Sequence, residues 1–139
     1  MAEASKSTAI RTVNGYASIN RNWKKGDVVE LTLPLEPRMI VPNDSVQTIK
    51  GKVALASGPV IYAFEGIDNP GLDNYVIKKD EKLTLTFKHD LLSGVNIITG
   101  NVSTDNSKQV TFKAIPFYSI GNRDVVTPYR VWIPLLTQN

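Results

Sequence analysis

The longest apolar run in the chain covers residues 51–65, Gly-Lys-Val-Ala-Leu-Ala-Ser-Gly-Pro-Val-Ile-Tyr-Ala-Phe-Glu. It divides at Ser57-Gly58-Pro59 into two strands, over 52–56 and 60–65. Val60, Ile61, Tyr62 and Phe64 are β-branched or aromatic, the types that fit a pleated, half-buried surface. The run is continuous rather than alternating, so it predicts a central hairpin covered on both sides. Gly58 tolerates positive φ, and Pro59 removes an N–H where the second strand begins.

Elsewhere the pattern alternates. Residues 28–33 place Val29, Leu31 and Leu33 on one face and Glu30 and Thr32 on the other, predicting a half-buried antiparallel strand. Residues 82–88 repeat this with Leu83, Leu85 and Phe87 inward. Residues 108–115 do so with Val110, Phe112 and Ala114, and 127–134 with Tyr129, Val131 and Ile133 opposite Arg130 and Trp132. Further strands are expected over 8–13, 16–22, 38–41, 75–77 and 95–100, with 102–107 polar and turn-rich. Asn14-Gly15 is a hairpin signal of the type I′ kind. Residues 66–74 read as a loop, and 116–123 as a long ordered one. No window carries the i, i+3, i+4, i+7 stripe of a helix. About nine or ten short strands with regular turn signals predict an all-β, antiparallel, jelly-roll-like sandwich.

Length and composition narrow this picture. At 139 residues the chain has single-domain length. Residues 1–8 read as a disordered or added tail and 9–139 as one sandwich domain. The net charge is +3 and the basic residues are scattered. Their one tight group is Arg21, Lys24 and Lys25 around Trp23, so no nucleic-acid partner is expected. There is no cysteine, which excludes disulfides, thiolate metal sites and cysteine nucleophiles. With one histidine, His89, no multi-histidine metal site can form. His89 reads as a solvated turn residue. No apolar run reaches the ~18 residues of a membrane span. The polar start of the chain has no apolar core of a signal peptide.

Three blocks carry a family resemblance. Residues 15–31 read Gly-Tyr-Ala-Ser-Ile-Asn-Arg-Asn-Trp-Lys-Lys-Gly-Asp-Val-Val-Glu-Leu, and 51–62 read Gly-Lys-Val-Ala-Leu-Ala-Ser-Gly-Pro-Val-Ile-Tyr. Ala114-Ile-Pro-Phe-Tyr118, Asn122-Arg123 and Val131-Trp132 complete the set. In that order they resemble the C-terminal β-sandwich region of glycoside hydrolase family 127, the β-L-arabinofuranosidase-like enzymes. The resemblance implies that catalysis lies in a preceding (α/α)6 barrel. It implies a cysteine nucleophile, a zinc held by cysteines and a glutamate, and an acid/base glutamate. None of these can be carried onto a chain without cysteine, so no catalytic residue, metal or cofactor is expected here. The family has strands before Gly15 that are mostly missing from this sequence. An incomplete sheet leaves an edge that can pair with another copy. The compartment is not fixed by these residues; a bacterial parent that is periplasmic or secreted is compatible with the resemblance.

Individual residues are weighed against bland alternatives. Glu65 ends the buried hairpin; a glycosidase would need a second carboxyl in a cleft. The simpler reading is a strand-end carboxylate held by a backbone N–H or an arginine. Asp68-Asn69 and Asp73-Asn74 offer oxygen ligands for calcium but lack EF-hand spacing, and read first as loop residues. Tyr118, Asn122, Arg123, Tyr129 and Trp132 combine aromatic faces with planar polar groups, a pattern that fits sugar or an interdomain contact. Arg21 and Trp23 repeat it and read as an Arg–Trp stack or interdomain contact. The expectation is an accessory module packed on the catalytic barrel, or else an autonomous carbohydrate-binding module.

Overall fold

The computed structural model describes residues 11–104, 108–123 and 126–136. They form two compact units, divided between Thr32 and Leu33. The expected tail lies outside the described residues, as do 8–10 of the first expected strand and 105–107 of the polar turn.

The first unit is a two-stranded hairpin followed by an extended segment. β1 (Arg11–Val13) pairs with β2 (Tyr16–Ser18), with Val13 opposite Tyr16. The connecting Asn14 and Gly15 have φ of 50° and 82°, the double positive φ that a type I′ turn requires. β2 stops at Ser18, short of the expected end at residue 22.

The alternation of 28–33 does not become a strand. No strand is assigned anywhere in this stretch, and Val29, Leu31 and Leu33 are exposed, at 57%, 67% and 64%. Alternation marks a face, but a strand also needs a neighbour to satisfy its backbone groups. None of the described strands pairs with these residues.

The second unit is one large mixed sheet of nine strands. They are β3 (Pro37–Ile40), β4 (Lys52–Ser57), β5 (Val60–Glu65), β6 (Ile77–Lys78), β7 (Thr84–Lys88), β8 (Val95–Ser103), β9 (Gln109–Pro116), β10 (Tyr129–Arg130) and β11 (Ile133–Leu136). The main path runs β6-β11-β4-β5-β9-β8-β7, with β3 beside β4 and β10 beside β5. Every pairing is antiparallel except β6 with β11, a departure from the wholly antiparallel expectation. An isolated bridge from Val76 to Ser103 ties the β6 end of the path to β8. The sheet is thus rolled, but it is no closed barrel.

The roll encloses one core. Val53 and Leu55 of β4 meet Tyr62 and Phe64 of β5, Ile77 of β6, Ile98 and Val102 of β8, Phe112 of β9 and Ile133 of β11. Phe64 and Phe112 meet edge-on at 5.0 Å, the geometry favoured by opposed ring quadrupoles. Opposite faces of β8 and β9 form a smaller cluster, with Val95, Ile97 and Ile115 under Leu91, Leu92 and Ile120. The β4–β5 hairpin is buried through nearly its whole length, as its continuous apolar pattern predicts, and turns at Gly58, φ 54°.

Three boundaries differ from expectation. β8 runs on through Asn101, Val102 and Ser103, because the polar residues there have β9 as partner. The expected strand 127–134 is broken: β10 pairs with β5, Val131 and Trp132 form a bend, and β11 moves to β4 and β6. Phe87, expected inward, is 49% exposed. It lies instead against His89, edge-on at 4.6 Å.

Candidate functional site

The polar residues of highest burial gather where β5 ends. Glu65 is 2% exposed. Its Oε1 accepts a hydrogen bond from the Gly121 N–H at 3.2 Å. Its Oε2 accepts from Arg123 Nε at 2.9 Å and also from Arg123 Nη2. Both guanidinium nitrogens converge on this one oxygen in charge-assisted hydrogen bonds, and the other carboxylate oxygen is left to the Gly121 N–H. Arg123 Nη1 then lies 2.7 Å from Asp68 Oδ2. Asp68 Oδ1 accepts from Lys113 Nζ at 2.8 Å.

Two cations and two carboxylates therefore alternate along this chain of contacts. Burial alone would raise the Asp68 pKa; hydrogen bonds and charge from Lys113 and Arg123 outweigh it and hold the carboxyl below its usual range. Burial likewise works against the Arg123 charge, and the bonds and charges of Glu65 and Asp68 overcome it, raising its pKa. Removing one member of such a buried pair strands the other, at a cost of about 3–5 kcal/mol.

Asn69 locks the same corner. Its Nδ2 donates to the carbonyls of Glu65 and Lys113, both at 2.8 Å, and its Oδ1 accepts from the Lys113 N–H at 2.9 Å. The side chain thus joins the end of β5 to β9 where no ladder bond can. Gly66 N–H donates to Pro128 at 2.8 Å, and a Cβ at Gly66 would sit 3.1 Å from that same carbonyl oxygen. The 66–69 loop, β9 and the 120–123 loop are held together by these contacts.

The sequence-selected residues fall around this corner in different states. Arg123 turns inward, and its guanidinium is engaged by Glu65 and Asp68. Tyr118 is 71% exposed, and Asn122 Nδ2 donates to its carbonyl at 3.4 Å. The Tyr62 hydroxyl pKa is raised, first by burial and then by Tyr118 nearby, while a bond with Ser57 opposes the shift. Tyr129 is 46% exposed and lies 6.1 Å from Phe117, a residue the pattern did not single out. The two rings are tilted by 57° rather than coplanar. Trp132 is half-buried at the bend between β10 and β11.

In the first unit, the Arg21 guanidinium lies 5.1 Å from the Trp23 ring centre and 3.2 Å from Asp27 Oδ2. This is a local cation–π stack with an ion pair, of the kind the Arg–Trp spacing suggested. The loop carboxylates considered for calcium point to different partners. Asp68 goes to Lys113 and Arg123, whereas the exposed Asp73 pairs with Arg130. His89 sits exposed in the turn after β7.

The sequence model of the glycoside hydrolase family 127 C-terminal domain matches residues 37–134. The chain belongs to that family. A non-reducing end β-L-arabinofuranosidase of Bifidobacterium longum is 27% identical over 123 residues, covering 72% of this chain and 19% of the relative. A family 127 β-L-arabinofuranosidase from Geobacillus stearothermophilus T6 is 34% identical, with a TM-score of 0.70 over 74% of this chain and 19% of its own. A second structure, a family 127 β-arabinofuranosidase, is 31% identical, with a TM-score of 0.81 over 92% of this chain and 22% of its own. The family 127 chain thus spans about a fifth of the length of these relatives. Its Glu65–Arg123–Asp68–Lys113 network ties the end of β5 and the 66–69 loop to β9 and the 120–123 loop. Glu65 is paired with Arg123, and Asp68 with Arg123 and Lys113.

Proposed function

We propose that this chain is a non-catalytic accessory β-domain of a hydrolase resembling the β-L-arabinofuranosidases, packed against that enzyme's catalytic barrel. The observation that carries the reading is coverage: the match is to a C-terminal domain, and it takes up about a fifth of each longer relative. The chemistry is consistent with it. The thiolate chemistry that the family resemblance implies needs cysteine, and this chain has none.

The 117–123 loop supplies one contact surface. The buried ion network fixes its base, while Phe117 and Tyr118 remain 47% and 71% exposed. Anchored exposed aromatics are suited to a protein interface, where ring area is gained at little entropic cost. Tyr118, Asn122 and Trp132 are the residues through which this surface would touch its partner. The catalytic portion of the parent enzyme, expressed separately with an affinity tag, should retain the untagged chain. Tyr118→Ala should weaken that retention at least about tenfold. Free passage of the wild-type chain through the column would reject the reading.

A second reading, an autonomous carbohydrate-binding module, draws on the exposed Tyr118 beside Asn122. The 57° tilt between Phe117 and Tyr129 argues against a flat stacking platform. Retention of the isolated chain on arabinan, lost in Tyr118→Ala, would favour this alternative.

A further inference from the structure

Residues 11–32 hold apolar side chains but no core. Among the described side chains of this unit none is buried, and only Ile19 is even half-buried. Val13, Tyr16, Trp23, Val28, Val29 and Leu31 are exposed by 45% to 85%. Within it, residues 28–32 carry two independent marks of an unpaired strand. The side chains alternate, Val29 and Leu31 against Glu30 and Thr32. The backbone makes no hydrogen bond to another described backbone group in this stretch. An isolated hairpin is at best marginally stable, and three strands with a covered face are normally needed.

The match to the family's C-terminal domain begins at residue 37, after this unit. The second β-arabinofuranosidase structure nevertheless superposes on 92% of the chain. The five residues after 134 cannot make up the difference, so most of residues 1–36 has a counterpart in that longer protein. The unit is therefore shared with the longer protein, yet it lies before the stretch that matches the C-terminal domain.

We propose that residues 28–32 are a β-strand of the domain preceding this one, completed by pairing with a strand from the polypeptide upstream. That strand presents an apolar alternation of its own, so that Val29 and Leu31 are buried in a shared sheet. Main-chain bonds supply the affinity and the alternate pockets the register, as in other strand additions. The inference rests on the accessory-domain reading and adds the element that joins the two parts.

The test is amide hydrogen exchange, read by mass spectrometry, on the chain alone and on the chain extended upstream through the preceding domain of its gene. The mass of the isolated chain in solution is measured alongside. The expected result is a monomer in which amides 28–32 exchange at unprotected rates while 53–65 are slow. In the extended polypeptide, 28–32 should slow by at least about a hundredfold, and Leu31→Asp should remove that protection. Unprotected amides in the extended polypeptide would overturn the proposal. So would a gene with no coding sequence upstream. Protection in the isolated chain also overturns it: a dimeric mass would name a second copy as the partner, a monomeric one the chain itself. The accessory role is judged separately, by retention of the chain on the catalytic portion, so the two failures are distinguishable.

Discussion

Asp68 lies between Lys113 and Arg123, and its carboxyl is held below the usual range despite burial. A carboxyl whose folded pKa is depressed adds stability that is fully present above its unfolded pKa of about 4. That stability is lost as pH falls through the lower folded value. Urea unfolding midpoints should therefore drop for the wild type between about pH 4 and pH 2, and Asp68→Asn should flatten that part of the profile while being less stable near neutrality. A wild-type midpoint that rises over the same range would contradict the assignment. At this scale the sequence is half legible. Glu65 at the end of a buried strand called for a backbone N–H or an arginine, and it has both, Gly121 and Arg123. The identity of the arginine was not readable, because the pair is separated by 58 residues and nothing local joins them. Asn69 reads in the sequence only as a loop residue with a ligand oxygen; its amide is buried by the loop's geometry rather than by any apolar pattern.

Alternation is a statement about faces, and it becomes a strand only where a neighbour is available. In β7 and β9 the neighbour is β8, and most inward residues arrive where the pattern puts them. In 28–33 the same pattern has no described neighbour, and no strand forms. Conversely, Asn101 and Ser103 look like turn residues but are paired in β8 because β9 lies opposite. Gly100 shows how tight that pairing is. It stands directly across from Phe112, and a Cβ there would come within 2.9 Å of the ring. The ring has no room to retreat, since it packs on Phe64 in the core. Gly100→Ala should therefore destabilise the fold by about 1–3 kcal/mol, the usual cost of overpacking. Chemical denaturation would register it, and an unchanged or raised midpoint would mean that the β8–β9 contact is looser than this geometry.

For the whole molecule, short strands, frequent turn signals and the missing helical stripe were enough to identify an all-β fold. The family resemblance carried by residues 51–62 and the 114–132 blocks agrees with the match over 37–134, while its block 15–31 lies before that match. The path of the sheet was not legible. Nothing in the sequence 127–134 says that the chain leaves β5 at Arg130 and joins β4 and β6 from Ile133 on. Such choices are made by strands distant in sequence, and one chain without its homologues carries little record of them. The central claim is that this chain serves a hydrolase without performing the hydrolysis. It is tested most directly by incubating the purified chain with a chromogenic β-L-arabinofuranoside, with and without added zinc and thiol, and measuring release of the aglycone. The account predicts no release above the buffer control under any of these conditions; turnover by the isolated chain that scales with its concentration would contradict it.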